Sequence, residues 1–223
     1  MLKITIIVAV IFASATTYVV LKNRHMPKQS IRQKVLRAFY PLIMMMGKSK
    51  KDIVANTEMK EPSLRFSTIN VLMPDGTYLD KNLLTGKKII IVNTASDCGY
   101  TAQYEALEKL YELHKDKIII IGIPSNDFMN QEKGSDMEIG AFCSNNYHIS
   151  FPIALKGSVL KNENQLDIYK WLSDESKNGW NNLAPKWNFC KYIIDENGRL
   201  THFLNSTVDP MGKEMRTILK IEE

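Results

Sequence analysis

The sequence predicts an α/β sandwich built on a mixed sheet, and three observations carry that expectation. Two apolar, β-branched runs, "KKIIIVNTA" and "KIIIIGIPS", have the unbroken hydrophobicity of strands buried on both faces. Between them, "AQYEALEKLYELHK" has the spacing of an amphipathic helix, as a strand–helix–strand crossover requires. Near the end, "FCKYIIDENGRLTHFL" reads as a hairpin turning at Glu196-Asn197-Gly198, which adds antiparallel strands to the sheet.

Charge divides the chain before that pattern begins. Residues 1–51 hold ten Lys or Arg and no Asp or Glu, so the net +5 of the 223-residue chain is a strongly basic tail on an acidic remainder. Overall basicity therefore does not argue for nucleic-acid binding, and the aromatic and basic interleaving of a single-strand binder is absent. Ile4 to Leu21 carries no charge, close to the minimum for a membrane-spanning helix, and reads as an uncleaved single-pass anchor. The alternative is a signal peptide for export, supported by Ala13-Ser14-Ala15. Lys22, Arg24, Lys28, Arg32, Lys34 and Arg37 follow the apolar run, which by the positive-inside rule makes the downstream side cytoplasmic.

"SIRQKVLRAFYPLIMMM" spaces Ile31, Val35, Leu36, Phe39, Leu42 and Ile43 along one helical face. It reads either as an amphipathic helix lying in a membrane interface, bent near Pro41, or as a helix packed on the domain. The organisation is then a membrane anchor and basic segment over 1–51, a polar linker over 52–63 and a folded domain over 64–223.

Within the domain, "SLRFSTINVLMPDGTYL" suggests a first hairpin turning at Pro74-Asp75-Gly76, before the two buried strands. "SDMEIGAFCSNNY" is a helix with Ser135 as cap and Glu138 at the capping-box position. "FPIAL" is a short apolar stretch, "NQLDIYKWLSDES" is helical, and a last helix follows the terminal hairpin. No internal repeat is evident.

Cys98, in "VNTASDCGYT", falls at the turn between the first buried strand and its helix, with Thr101 as a candidate N-cap. Unpaired N–H groups at such a turn favour a negative charge. A thiol of pKa near 8.5 is only about 3% ionised at pH 7, whereas one lowered to about 6 is roughly 90% thiolate, so the turn suits a nucleophile. The same position also suits a small buried hydrophobe.

"VNTASDCGYTAQYEALEKLY", "GIPSNDFMNQEKGS" and "PKWNF" occur in this order, and together they resemble the signature blocks of the glutathione peroxidase family over about Leu64 to Pro210. The resemblance implies a thioredoxin-like fold and a peroxidase. It matches Cys98 to the peroxide-reacting residue, and Gln131, Trp187 and Asn188 to the three partners that complete its tetrad. Amide and indole N–H groups can stabilise a thiolate, orient a peroxide and supply a proton to its leaving oxygen. Cys143 matches the resolving cysteine of members that use thioredoxin in place of glutathione. The chain departs from the common loop pattern at Ser125, Asp127, Met129 and Lys133, where Cys, Gln, Gly and Pro are usual, which puts the loop's shape in question. Cys190 matches no redox position and reads as packing.

The resemblance implies a hydroperoxide substrate, thioredoxin or glutathione as reductant, and no cofactor or metal. Three other functions share parts of this pattern. A thiol–disulfide oxidoreductase usually needs C-x-x-C, and residue 101 is threonine. A metallochaperone needs paired thiols and a nearby histidine, whereas His114, His148 and His202 are scattered. A membrane-anchored peroxide sensor would use the same Cys98 and Cys143 chemistry. Asn205-Ser206-Thr207 fits a glycosylation acceptor but reads as a turn.

Overall fold

The computed structural model describes residues 2–26, 29–47 and 52–222, with side chains from Val10 onward. Lys28 of the basic set, and residues 48–51 at the end of the basic segment, lie outside the described residues.

Seven α-helices, two short 3-10 helices and five strands are present among the described residues. In chain order the α-helices and strands are α1 (Leu2–Lys22), α2 (Ile31–Gly47), β1 (Ile53–Ala55), β2 (Lys88–Thr94), α3 (Gln103–His114), β3 (Ile118–Pro124), α4 (Asp136–Tyr147), α5 (Asp167–Leu172), α6 (Glu175–Asn178), β4 (Lys191–Ile194), β5 (Leu200–Leu204) and α7 (Lys213–Leu219). The sheet order is β1-β5-β4-β2-β3. Strands β2 and β3 pair in parallel through the α3 crossover, and every other pairing is antiparallel. The α/β sandwich with a mixed sheet is therefore present.

Alternation along the strands divides the core in two. Ile90, Val92, Ile118 and Ile120 pack with Tyr104, Leu107 and Leu110 of α3, Ile139 and Cys143 of α4, and Met215 and Leu219 of α7. Ile89, Ile91, Ile119 and Ile121 join Ile168, Trp171 and Leu172 of α5 in the second core. Both faces of β2 and β3 are thus dry, which is why their sequences show no polar alternation. Fully burying each such side chain is worth about 1.5–3 kcal/mol.

Turn chemistry follows the sequence at both hairpins: Gly76 and Gly198 have φ of 82° and 81°, a backbone that L side chains rarely adopt. Two elements differ from expectation. Ile53–Ala55, inside the stretch read as linker, is an edge strand on β5; three residues are too few to show a period of two. The helical segment after Leu166 breaks at Ser173 into α5 and α6, because Asp174 caps a new turn by accepting from the Ser176 N–H.

The N-terminal segment forms a helical hairpin. The Tyr18 hydroxyl donates to Ala38 O at 3.2 Å, and Asn23 Nδ2 donates to Lys34 O at 2.9 Å. Among the described residues no helix is long and apolar enough to cross a membrane. The spanning anchor expected over 4–21 is therefore not shown. Of the two readings for α2, packing on the domain is what one face does. Arg37 Nε donates to Glu105 Oε1 at 2.8 Å, Gln29 Nε2 to the Tyr147 hydroxyl at 3.0 Å, and Met44 is buried against Gln103. Ile31, Leu42, Met45 and Met46 stay exposed on another face.

Candidate active site

Strand β2 ends at Thr94, and Cys98 lies on the turn that leads to α3. The turn is tied by a threonine. Thr101 Oγ1 accepts from the Cys98 N–H at 3.0 Å and donates to Ala95 O at 2.8 Å, so Thr101 braces the Cys98 loop and does not cap the helix. The N–H of Tyr100 points at the Cys98 sulfur, 3.4 Å away.

Opposite this turn is the segment that leads into β4. Trp187 O accepts from Asn93 Nδ2 at 3.0 Å, and Phe189 N donates to Asn93 O at 2.6 Å, which fixes the segment to the end of β2. Phe189 itself has φ of 64°, an uncommon conformation for a bulky residue. That kink lets the chain enter the sheet while Trp187 and Asn188 face the Cys98 sulfur.

Gln131 is held one step further out. Asn188 Nδ2 donates to Gln131 Oε1 at 2.9 Å, and Gln131 O accepts from the Asp97 N–H at 3.0 Å. The structure therefore brings all four expected residues together, with Gln131 reaching the group through Asn188 and the Cys98 loop. Asn188 Oδ1 is buried without a hydrogen-bond partner, an acceptor free for a hydroxyl or peroxide proton. Beside Gln131 opens a cavity of about 480 Å³ whose wall includes Ser30 and Gln33 of α2, Asp97, Glu132 and Phe142.

The loop departures have a structural counterpart. Met129, where the resemblance puts glycine, keeps a left-handed backbone at φ 51°, as does Asn130 at φ 52°. A left-handed residue with a Cβ costs about 1–2 kcal/mol, so the loop retains its course at the expense of local strain. Asp127 anchors it by accepting from the N–H groups of Val159 and Leu160 at 2.6 and 3.2 Å.

Burial works against an acidic thiol at this turn. Cys98 is only 2% exposed, and burial pushes its thiol above the ordinary cysteine value. The Tyr100 N–H, Asn188, Trp187 and the Arg32 cation oppose that rise without overcoming it. The turn supplies one N–H to the sulfur, too little to offset desolvation.

Cys143 is also 2% exposed, on the inner face of α4. Burial pushes its thiol up to about 12, against the Tyr104 hydroxyl, which favours the thiolate. All three cysteines are free and buried. Cys190 packs in the core under β4, its sulfur 3.7 Å from Ser206 Oγ.

Sequence reading missed three residues around this site. Glu132 is buried and pushed up to about 7, chiefly by desolvation, while Ser96 Oγ donates to it at 3.1 Å. In sequence it is an ordinary loop carboxylate, and nothing marked it. Arg32 and Gln33, on α2, reach the Cys98 loop from outside the domain's sequence pattern.

A thioredoxin-like sheet with a cysteine just past the end of an interior strand defines a class, the thiol-dependent oxidoreductases. The solved structures agree on the fold: the apo crystal structure of Trgpx is 29% identical, with a TM-score of 0.54 over 71% of this chain and 94% of that one. The family model described as glutathione peroxidase matches residues 66–173. Glutathione peroxidase-like peroxiredoxin gpx1 of Schizosaccharomyces pombe is 41% identical over 138 residues, 61% of this chain and 85% of its own length. The glutathione peroxidase of Lactococcus lactis is 36% identical over 159 residues, 70% of this chain and all of its own. The chain belongs to the glutathione peroxidase family and is a peroxidase.

Proposed function

We propose that the chain reduces hydroperoxides through Cys98 in a two-cysteine cycle. The Cys98 sulfur attacks the O–O bond; the distal oxygen stays on sulfur as a sulfenic acid, and the other leaves as alcohol or water after taking a proton. Trp187, Asn188 and Gln131 orient the peroxide and stabilise the charge that develops on sulfur and oxygen. The observation that carries this reading is the convergence of the Tyr100 N–H, Trp187 and Asn188 on one buried sulfur.

Cys143 then attacks the sulfenic sulfur as a thiolate, water leaves, and a Cys98–Cys143 disulfide remains. Cys143 is buried on α4, where desolvation disfavours its thiolate, so in this reading the last turns of α4 open to bring the thiol to the Cys98 sulfur. Thioredoxin, a dithiol, then takes over the disulfide and restores both thiols. Glutathione is the alternative donor. The test is turnover of two variants with thioredoxin. Cys98→Ser is expected to abolish peroxide reduction, whereas Cys143→Ser spares one oxidation and stops cycling. Undiminished cycling in Cys143→Ser would remove the resolving role.

Membrane association belongs to the same proposal. Val10, Ile11 and Phe12 of α1, with Ile31, Leu42, Met45 and Met46 of α2, expose apolar side chains on a segment rich in Lys and Arg and devoid of acidic residues. Such a surface suits an anionic bilayer, with the domain on the cytoplasmic side, and makes lipid hydroperoxides the preferred substrate. A higher kcat/KM for phospholipid hydroperoxide in vesicles than for hydrogen peroxide is expected, and equality would count against it.

A further inference from the structure

Helix α2 lies outside the region that the family model matches, yet it grips the segment that carries Cys98. Arg32 Nη1 donates to Asp97 O at 3.1 Å and pairs with the Asp97 carboxylate. One residue along, Gln33 Nε2 donates to Ser96 O at 2.9 Å. The grip is built into the helix start: Ser30 Oγ accepts from the Gln33 N–H at 3.2 Å, and Gln33 Oε1 accepts from the Ser30 N–H at 2.8 Å. On the other side, the Asp97 N–H donates to Gln131 O and Ser96 Oγ to Glu132. Residues 96–97 are thus clamped between α2 and the Gln131 loop. Further along, Ile43 crosses Gly99, where a Cβ would come within 3.2 Å of its Cδ1.

We propose that Arg32 and Gln33 are positioning residues for Cys98, supplied by the N-terminal extension: Gln33 fixes the backbone before the thiol, and Arg32 fixes Asp97 while bringing a cation to the sulfur. The inference rests on the reading of Cys98 as the peroxide-reacting residue. Asp97 explains why both functions are needed. One of its carboxylate oxygens is buried without a hydrogen-bond partner, one residue from a sulfur that must become negative. Without Arg32, that carboxylate would oppose thiolate formation. The charged group that acts on Cys98 is then Arg32 from α2, with the titratable Tyr100 coupled to it from its own loop and Asp97 its neighbour in the chain; Trp187 and Asn188, on the opposite side, do not titrate. Arg32 also adds to the opposition against burial described above.

The test is the rate of Cys98 alkylation by iodoacetamide between pH 6 and 10, read by peptide mapping on the full-length reduced chain. Oxidation of Cys98 by one equivalent of hydrogen peroxide is followed in parallel. Because the Arg32 side chain is 56% exposed, its field is screened, and R32A is expected to slow alkylation at pH 7.5 only about threefold to tenfold and to move the profile to higher pH. R32K keeps the charge and should recover part of the rate, and the difference between wild type and R32A should shrink in 1 M salt. R37A removes a different α2 anchor, the one to Glu105, and should stay within about twofold of wild type. An R32A profile that matches wild type, or one that is faster, overturns the proposal, since the faster result would make α2 a cover only. Equal slowing in R37A overturns it too, because helix seating alone would then account for the effect. Wild-type Cys98 that resists hydrogen peroxide would instead defeat the peroxidase reading on which this rests.

Discussion

Two buried titratable residues behave opposite to their usual roles, and both leave a signature in stability. Lys191 is 0% exposed, with Nζ donating to Gln103 Oε1 at 2.5 Å and Val208 O at 2.8 Å, and desolvation lowers it to about 7. Between that value and its unfolded value near 10.4, the unfolded chain binds more protons, so stability rises with pH across the window. Glu132 has the reverse sign. Its folded value of about 7 exceeds the unfolded value near 4.3, so its contribution is lost as pH rises between the two. A shallow stability minimum near pH 7 is expected in thermal melts, and Lys191→Met should flatten the rise above it. A rise that persists in Lys191→Met would place its origin elsewhere. Neither residue was legible in sequence, where burial of a single charged side chain in a strand or loop leaves no pattern.

At the scale of elements, legibility followed local chemistry. The capping box of α4 was readable because Ser135 and Glu138 satisfy each other's backbone three residues apart, and both bonds are present. The turns at Gly76 and Gly198 were readable because their positive φ selects glycine. β1 was not, and the docking of α2 stayed one of two readings, since both depend on partners more than 50 residues away: β5 for the strand, and the Cys98 loop and Glu105 for the helix. The far end of α4 matters most for the cycle. It closes on His148, at φ 52°, whose N–H reaches back to Ser144 O, and Ile149 N–H reaches Cys143 O at 3.4 Å. Glycine is the favoured residue at such a cap, so His148→Gly should stabilise α4 by about 0.5–1 kcal/mol and slow disulfide formation by roughly twofold to fivefold. Stopped-flow oxidation read alongside a denaturant melt checks this. A stabilised variant that forms the disulfide at the wild-type rate would mean that Cys143 reaches Cys98 without opening that turn.

For the whole molecule, the site is assembled from segments far apart in sequence, which is why composition alone could not reveal it. The β2–α3 turn carries Cys98, the loop after β3 carries Gln131, and the entry to β4 carries Trp187 and Asn188. Three motif blocks in order gave these residues away, while Arg32 and Gln33, outside any block, emerged only from packing. The mixed sheet holds the four together, and the N-terminal hairpin closes on them from outside. The most direct measurement is the intact mass of the full-length reduced chain after one equivalent of hydrogen peroxide, with peptide mapping of its three cysteines. Loss of two hydrogens with Cys98 joined to Cys143 is the expected result. One oxygen retained on Cys98, with Cys143 still a free thiol, would contradict the two-cysteine cycle and leave an external thiol to resolve the sulfenic acid.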